Sequence, residues 1–322
     1  MLEINLNFNI YLKKMIDISI ITINYNQSEL TKEFIDSVIE FTHVSISYEI
    51  IVVDNCSSIE SFKNLKHLLK DYKVKIIRNN INSGFGGGNM FGVQFASGNY
   101  LAFINNDILF IEDSFTPLIN FLKNNPKVGV IAPQQLDKDL KPAYCYDYFH
   151  GIRRLILGSW SIDFYKKRKR KKILYNEPFS VDFIQGCFMI FDKSKFAEVG
   201  GFDTNLFLYY EEMDICYRLK QKGFESYFVP TTQFIHLKGA STKKNYLIKK
   251  ELNNSRLYVL RKNHNYIKYN CIRYYFLIKW LFKSILSPKY FDITSIILKG
   301  SYSENSLKHK QKADRFLTQY DS

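Results

Sequence analysis

The sequence predicts an α/β fold, with a doubly wound, mostly parallel sheet and a helical carboxyl-terminal appendage. Short β-rich apolar stretches alternate with amphipathic stretches through the first half of the chain. Polar and acidic residues follow several of these stretches directly. From residue 246 onward the chain is helical in pattern, basic and aromatic. Strands that alternate with helices favour a parallel sheet with helices on both faces.

The apolar runs and their helical neighbours define the elements in order. Strands are predicted at residues 17–22, 48–53, 74–78, 100–104, 128–132, 181–191, 227–230 and 232–236. Helices are predicted at residues 28–41, 59–71, 88–96, 115–123, 193–199, 214–222 and 246–282. Ser28 can cap the first helix, since apolar side chains recur after it at helical spacing. Residues 135–180 show little periodicity.

The chain is expected to form one large domain with flanking segments. The 322 residues are enough to bury a sizeable core. We predict an amino-terminal extension at 1–14, an α/β domain at 15–242 and a basic, aromatic helical region at 243–322. Residues 1–14 lack the pattern of a signal peptide, and no apolar run is long enough to predict a membrane-spanning helix. Five scattered cysteines without CxxC spacing indicate a reduced, cytoplasmic protein.

The charge of the chain indicates an anionic partner. The net charge is +14, and the run at residues 166–172 consists of seven Lys and Arg residues. This run is either a solvated, mobile loop or a site of attachment to anionic lipid. A nucleic-acid-binding module is a second interpretation, but the sequence has no helix-turn-helix, zinc or aromatic RNA-binding pattern to support it.

Acidic motifs at predicted strand ends indicate a ligand site. Asn105, Asn106 and Asp107 follow one buried strand, and Asp54 ends another. Open α/β sheets bind ligands at the carboxyl edge of the strands. Asp107 could bind Mg²⁺ or Mn²⁺ that bridges a diphosphate, or it could be a turn residue. Asp54 could accept a hydrogen bond from a pyrimidine imide N–H, or it could form an Asx turn.

A glycine-rich loop, residues 82–89, follows the third predicted strand. Its spacing matches neither the dinucleotide fingerprint nor the phosphate-binding P-loop. The loop lets the backbone approach a ligand at a helix amino terminus, or it is simply a flexible turn.

A second acidic group begins a helix further along the chain. Glu211, Glu212 and Asp214 lie in its first turn, where the helix dipole favours the ionised form that a general base needs. Asp214 is four residues before Arg218, so we expect these two to pair along the helix. His236 ends a short strand and could bind Mn²⁺, although most single histidines have structural roles.

Taken in order, these motifs resemble the inverting nucleotide-sugar glycosyltransferases of family 2, which have the A-type fold. The resemblance covers about residues 17–242 and is closest to the bacterial rhamnosyltransferase-like branch. The matching stretches are 18–26 (ISIITINYN), 50–55 (IIVVDN), 82–89 (NSGFGGGN), 105–107 (NND), 186–190 (GCFMI), 200–203 (GGFD) and 209–218 (YYEEMDICYR).

The resemblance implies a role for each matching residue. Asp54 would read the nucleobase, Asp107 and His236 would bind the metal, and Glu212 would be the base, with Glu211 as the alternative. The donor-binding residues implied are Asn24, Asn26, Asn82, Gly84, Gly88, Asn89, Asn105 and Asn106. The chain departs from the family pattern twice, because Asn105 replaces the first Asp of the DxD-like motif and Glu212 replaces the usual Asp.

The resemblance also implies an activity. A sugar, rhamnose in this branch, would move with inversion from a dTDP- or UDP-sugar to a hydroxyl of a bacterial surface polysaccharide or lipid-linked glycan, with Mn²⁺ or Mg²⁺ as cofactor. This would be a metal-dependent hexosyltransferase reaction of a cytoplasmic protein, either free or peripheral at the inner face of the cell membrane. Residues 269–285 would be either an interfacial helix or a helix packed on the domain. A catalytically inactive sugar-nucleotide-binding homologue is the alternative that the two departures leave open.

Overall fold

The protein is described here by a computed structural model. The structure describes residues 16–149, 164–165, 168–237, 246–300, 304 and 306–314. The predicted extension at 1–14 and the predicted domain boundary at 242 lie outside these residues. So do Lys166 and Lys167 of the basic run.

A nine-stranded sheet forms the centre of the fold. Its strands are β1 (Ile18–Asn24), β2 (Tyr48–Asp54), β3 (Lys75–Arg78), β4 (Tyr100–Ile104), β5 (Ile108–Phe110), β6 (Val128–Leu136), β8 (Phe179–Val181), β10 (Phe188–Asp192) and β11 (Glu225–His236). A separate pair is formed by β7 (Tyr146–Asp147) and β9 (Phe183–Ile184). The order is β3-β2-β1-β4-β10-β6-β11-β5, with β8 also paired to β11.

The amino-terminal half of the sheet is parallel. β1 pairs in parallel with β2 and β4, β2 pairs with β3, and β6 pairs with β11. β10 lies antiparallel between β4 and β6, and β5 and β8 are antiparallel to β11. The predicted mostly parallel sheet is therefore confirmed, and antiparallel strands complete it.

Helices cover both faces of the sheet, as a doubly wound fold requires. They are α1 (Ser28–Phe41), α2 (Ile59–Leu68), α3 (Gly84–Val93), α4 (Phe115–Asn124), α5 (Lys193–Glu198) and α6 (Glu211–Gln221). Ile18 and Ile20 pack with Phe34 of α1 in one buried cluster. Ile21 points the other way and joins Ile215 of α6 in a second cluster. Because successive side chains of β1 point to opposite faces of the sheet, this strand contributes to two hydrophobic cores.

The last sheet strand differs from the prediction. Two short strands were expected on either side of Thr231, but β11 continues from Glu225 to His236 through Pro230. The register with β6 shifts between Phe228 and Gln233. A bulge tolerates proline, which has no N–H to give to the ladder, so the strand does not end there.

The described part of the basic run is held against the domain. Arg168 pairs with Asp182 at 3.1 Å and lies over the Tyr148 ring, and Lys171 pairs with Asp147. The prediction of a fully solvated, mobile loop is therefore wrong for these two residues. Their charges are partly neutralised, which weakens the electrostatic argument for lipid attachment through this run.

The carboxyl-terminal region forms three helices with their own core. They are α7 (Tyr246–Asn263), α8 (Tyr266–Leu286) and α9 (Phe291–Lys299). The single helix predicted from residue 246 to 282 is two helices, because Asn265 caps α8 by accepting a hydrogen bond from the Lys268 N–H at 2.9 Å. Lys262 of α7 pairs with Asp203 at 2.7 Å and with Asp214 at 3.0 Å. The helical appendage is thereby docked on the α/β domain.

Helix α8 has two apolar faces, of which one confirms the interpretation of a packed helix and the other leaves the interfacial interpretation a prediction. One face is buried against α7 and α9 through Ile272, Phe276 and Trp280. The opposite face leaves apolar side chains exposed, among them Ile278 at 57% and Phe282 at 65%. None of the helices in the described residues is both long enough and apolar enough to cross a bilayer.

The glycine-rich segment is itself helical. Helix α3 begins at Gly84, four residues before the predicted start. Gly84 has φ of +74°, and a Cβ atom there would lie 2.0 Å from the carbonyl oxygen of Phe207. The Phe85 N–H donates to the same oxygen at 2.9 Å. Glycine is thus required at this position for both its backbone conformation and the close approach of residue 207.

We predict that Gly84→Ala destabilises the protein by about 2 kcal/mol or more, from left-handed backbone strain plus the collision with Phe207. Gly200→Ala is the matched control. Gly200 has φ of +79° but no atom within 4 Å of a Cβ position, so only the strain remains. The midpoints and slopes of urea unfolding compare the two variants. Equal losses would contradict the close-approach argument.

Candidate active site

A cavity of about 440 Å³ opens at the carboxyl edge of β1, β2 and β4. Its wall is rich in amide and aromatic side chains. The lining residues are Ile23, Tyr25, Gln27, Asn55, Asn82, Gly84, Phe85, Asn105, Asn106, Asp107, Phe207, Leu208, Ile248 and Gln311. Five of the predicted site residues, Asn82, Gly84, Asn105, Asn106 and Asp107, are therefore brought together on this wall.

Asn24 and Asp54 meet behind the wall because β1 and β2 are in parallel register with these residues opposite each other. Asn24 Nδ2 donates to Asp54 Oδ1 at 2.9 Å. The other oxygen of Asp54 accepts from the Ser57 N–H at 3.2 Å and pairs with Arg78 Nη1 at 3.3 Å. Asp54 is fully buried. Its internal partners give it a structural role, and its predicted contact with a nucleobase stays a prediction.

Asn26 holds the loop after β1. It has φ of +56°, a conformation that asparagine adopts more readily than most residues. Its N–H donates to Ser57 Oγ at 2.8 Å, and its Oδ1 accepts from the Ser58 N–H at 2.8 Å. The loops after β1 and β2 are thereby tied together at the rim of the cavity.

Asn55 organises the glycine segment, and its importance was missed in the sequence. Its Nδ2 donates to Asn82 Oδ1 at 3.0 Å and to the Gly84 carbonyl at 3.1 Å. Its Oδ1 accepts from Asn79 Nδ2 at 3.1 Å and from the Ser83 N–H at 3.2 Å. An amide directly after a strand-end aspartate was the available signal.

Gly88 and Asn89 lie behind the wall. A Cβ on Gly88 would meet Ile23 Cδ1 at 2.8 Å, so glycine lets α3 pack closely on β1. Asn89 Nδ2 donates to the Phe85 carbonyl at 3.1 Å. In this geometry both residues support the wall, and direct donor contact by them stays a prediction.

Asp107, which lines the cavity, contacts His236. Their strands are brought together because β5 pairs antiparallel with β11, with Ile108 opposite His236. Asp107 Oδ1 lies 3.1 Å from His236 Nε2. Both side chains are largely buried. Two residues 129 positions apart in the sequence thus form one carboxylate–imidazole pair.

The environment of His236 favours its protonated form when no metal is bound. Burial lowers the pKa of the imidazole, but hydrogen bonds with Asp107 and Cys187 outweigh burial and raise that pKa to about 9. Cys187 also contacts Gln135 Oε1 at 3.4 Å, and its carbonyl accepts from the Asn105 N–H at 2.9 Å.

The Asp107–His236 pair fits a divalent cation. Adjacent ligands of an octahedral ion lie roughly 3 Å apart when each is about 2.1 Å from the metal. Carboxylate oxygen and imidazole nitrogen suit Mn²⁺. In the residues that the structure describes, no group of three His, Cys, Asp or Glu side chains completes a metal site. The remaining positions of such an ion would have to come from a ligand or water.

The neighbouring Asn106 does not face this pair. Its Nδ2 donates to Thr31 Oγ1 at 2.9 Å, and Thr31 Oγ1 in turn donates to Asn24 Oδ1 at 3.0 Å. This buried chain joins the end of β4 to the end of β1. Of residues 105–107, the side-chain amide of Asn106 is therefore used for this internal support, while Asn105 and Asp107 also line the cavity.

The acidic residues of α6 have distinct environments. Glu211 is buried, and its Oε1 has no hydrogen-bond partner among the described residues. Burial and the adjacent Glu212 carboxylate raise the pKa of Glu211 well above its usual range. Burial also raises the pKa of Glu212, to about 7, although backbone N–H groups at the helix start oppose the shift. Glu212 is therefore poised to exchange a proton near neutral pH.

Asp214 is structural, as its spacing from Arg218 predicts. It is fully buried, and its Oδ2 accepts from Arg218 Nε at 2.9 Å and pairs with Lys262 at 3.0 Å. Arg218 also donates to the Gly201 carbonyl at 2.7 Å. The predicted helix salt bridge is confirmed, and it ties α6 to the turn at 200–203.

The chain was compared with known proteins by sequence. It matches the family model Glycosyl transferase family 2 over residues 19–200. Rhamnosyltransferase WbbL of Escherichia coli (strain K12) is 29% identical over 202 residues, which cover 59% of this chain and 72% of WbbL. Low-salt glycan biosynthesis hexosyltransferase Agl10 of Haloferax volcanii is 24% identical over 211 residues, covering 64% of this chain and 62% of Agl10.

A third relative is the N-acetylglucosaminyl-diphospho-decaprenol L-rhamnosyltransferase of Mycobacterium tuberculosis. It is 27% identical over 143 residues, covering 43% of this chain. The chain spans 47% of the length of that relative.

Solved structures share the fold. GalNAc-T7 with UDP, GalNAc and Mn²⁺ superposes with a TM-score of 0.55 at 21% identity, covering 76% of this chain and 48% of that one. The mannosyltransferase PcManGT from Pyrobaculum calidifontis, in complex with GDP-Man and Mn²⁺, gives 0.52 at 15% identity, covering 88% and 76%. These likenesses confirm the predicted A-type fold. Two rhamnosyltransferases are among the relatives that the chain resembles. Since the family model matches more than half of the chain, the chain belongs to glycosyl transferase family 2.

Proposed function

We propose that this protein transfers a sugar, rhamnose, with inversion from a dTDP- or UDP-linked donor to a hydroxyl of a bacterial surface polysaccharide or lipid-linked glycan. The observation that carries the proposal is the Asp107–His236 pair, 3.1 Å apart, beside a cavity large enough for a nucleotide sugar. The rhamnosyltransferases among the relatives support the choice of sugar.

Asp107 and His236 are the residues that would hold Mn²⁺ or Mg²⁺. When bound, the ion supplies positive charge that stabilises the departing nucleoside diphosphate. Asn105 lies beside Asp107 on the cavity wall and contributes a neutral amide where the family pattern has a carboxylate. The chain's own ligand set is thus one carboxylate and one imidazole.

Glu212 is the proposed base. Its carboxylate takes the proton of the acceptor hydroxyl, and the hydroxyl oxygen forms a bond to the anomeric carbon. The bond from that carbon to the diphosphate oxygen breaks on the opposite face, so the diphosphate leaves with the electron pair and the configuration inverts. The environment of Glu211 argues against it as the base, because a carboxyl with a strongly raised pKa stays protonated at neutral pH.

We also propose that the protein contacts the membrane, and that it does so through α8. Its exposed apolar stripe, which includes Tyr274, Ile278 and Phe282, is flanked by the exposed Lys279 and Lys283. An apolar stripe bordered by lysines is typical of a helix that lies in the bilayer interface. Such a surface would bring the enzyme to a lipid-linked acceptor.

We expect Glu212→Ala to lower transfer by about 100-fold or more while nucleotide affinity stays unchanged, because only proton removal is lost. The unaltered protein should lose kcat/KM about fivefold from pH 7 to pH 6, since Glu212, with a pKa of about 7, is half ionised at pH 7 and mostly protonated at pH 6. Coupled assays of nucleotide release with a glycan acceptor, together with calorimetric binding, measure both. Near-normal turnover in Glu212→Ala would contradict the assignment, and loss in Glu211→Gln alone would move the role to Glu211.

Nucleoside diphosphate release from UDP-, dTDP- and GDP-sugars, with Mn²⁺ or Mg²⁺ and with chelator, tests the metal and identifies the donor. We expect metal-dependent release from a dTDP- or UDP-sugar, and its loss in Asp107→Ala. Asp71→Ala is the control, because the Asp71 side chain is 82% exposed and away from the cavity. Binding of the same nucleotides in the same samples separates a missing acceptor from a missing donor site. Binding without turnover, even with acceptor glycans, would favour the inactive homologue.

Flotation with anionic liposomes tests the membrane contact. We expect the protein to float with the vesicles in a salt-sensitive manner. The double variant Ile278→Glu, Phe282→Glu should not bind the vesicles, because charge on the stripe opposes burial in the interface. Val44→Glu is the control, since Val44 is 94% exposed but lies on a loop of the α/β domain. Flotation of the double variant would exclude α8 as the contact.

A further inference from the structure

Residues 306–314, here named the C-terminal strap, return from the helical appendage to the candidate active site. Gln311, in the middle of the strap, lines the same cavity as Asn55 and Asn82. The family model ends at residue 200 and so does not include the strap. Part of the cavity wall is therefore supplied by a segment that no motif of the sequence indicated.

The first end of the strap is anchored by a buried carboxylate. Glu251 of α7 accepts from Ser306 Oγ at 2.8 Å and from the Leu307 N–H at 2.7 Å. Both Glu251 and Ser306 are buried. Lys308 Nζ adds a bond to the Thr204 carbonyl at 2.8 Å. These contacts direct the chain from α7 toward the sheet.

The second end is anchored on β3. The Asp314 N–H donates to the Asn80 carbonyl at 2.7 Å, and Asp314 Oδ2 pairs with Arg78 Nη2 at 2.8 Å. Arg78 also pairs with Asp54 at 3.3 Å and lies over the Phe62 ring. One guanidinium thus joins the strap to the carboxylate at the end of β2.

These anchors place the strap at one end of the cavity. β3 is three strands away from β4 in the sheet, which corresponds to roughly 14 Å at the usual strand spacing. Asp107, which follows β4, is therefore at the far end from the anchor on β3. If the diphosphate lies by Asp107, the nucleoside lies toward Asp54, Arg78 and the strap.

The side chain of Gln311 is held in place for such a contact. Its Nε2 donates to the Leu307 carbonyl at 2.9 Å. A primary amide carries a second N–H and a carbonyl acceptor. A pyrimidine nucleoside offers matching groups in its imide and its ribose hydroxyls. Within residues 306–314 only Ser306 is buried, so polar contacts and not an apolar core keep the strap in position.

We infer that the C-terminal strap is part of the donor site and that Gln311 hydrogen-bonds to the nucleoside of the donor. The inference rests on the proposed function, since it needs a nucleotide in this cavity. It assigns a binding residue for the nucleoside to a segment outside the α/β domain. The Asp314–Arg78 pair acts as the positioning contact that keeps Gln311 at the cavity.

The test is calorimetric binding of UDP and dTDP to the full chain, with inorganic pyrophosphate as a probe that lacks the nucleoside. Gln311→Ala should raise the Kd for both nucleotides about fivefold, the loss expected for one hydrogen bond, and leave pyrophosphate binding unchanged. Asp314→Asn should weaken nucleotide binding about two- to fivefold by loosening the strap, without affecting pyrophosphate. Lys299→Ala is the control, because Lys299 is an exposed residue at the end of α9, outside the strap.

Three results would overturn the inference while leaving the proposed function intact. They are unchanged nucleotide affinity in Gln311→Ala, equal weakening of nucleotide and pyrophosphate in that variant, and a lowered melting temperature with unchanged Kd in Asp314→Asn, which marks a purely structural strap. Failure of the unaltered protein to bind any nucleotide would overturn the proposed function, and this inference with it.

Discussion

The parallel register of β1 with its two neighbours is the constraint on which the candidate site depends. It sets Asn24 opposite Asp54 and brings the carboxyl ends of β1, β2 and β4 to one edge. A shift of one residue would turn Asn24 away from Asp54 and exchange the apolar side chains of β1 between the two cores, where they do not fit. The same pairing that buries the sheet therefore also builds the polar edge, so the stability of the fold and the geometry of the site are inseparable here.

The buried acidic residues divide into two kinds according to what faces them. Asp54 and Asp214 each meet a guanidinium within hydrogen-bonding distance, and this compensates for their burial. Glu211 meets another carboxylate and no described cation, so its ionised form is disfavoured. The pKa of Glu212 is raised less, to about 7, which is near the pH at which a general base is useful. Carboxylates that face a guanidinium group stabilise the fold. The two carboxylates at the start of α6 are poorly compensated and are suited to proton transfer.

Much of the fold could be predicted because it is encoded locally. The alternating strands, the start of α1 at Ser28 and the salt bridge of Asp214 with Arg218 all depend on residues close in sequence. The predicted cap at Ser28 is wrong, because Gln27 precedes the helix without a side-chain cap and Ser28 Oγ instead accepts from Asn64 Nδ2 at 2.8 Å. The sequence suggests Asp107 and His236 singly as candidate metal ligands, but their combination in one site followed only from family resemblance, since 129 residues separate them. The passage of β11 through Pro230 was missed because the bulge that tolerates proline depends on the partner strand β6.

The position of the strap could not be predicted from the sequence either, because it depends on contacts between residues that are even farther apart in the chain. Arg78 and Asp314 are 236 residues apart, and neither lies in a pattern with a known period. Their contact exists only because α7, α8 and α9 pack into a core that turns the chain back toward β3. The appendage thus has two outward consequences, an exposed apolar stripe on α8 and a polar strap over the cavity. Because both originate from one packed unit docked through Lys262, the exposed stripe and the part of the cavity wall at Gln311 belong to the same structural unit.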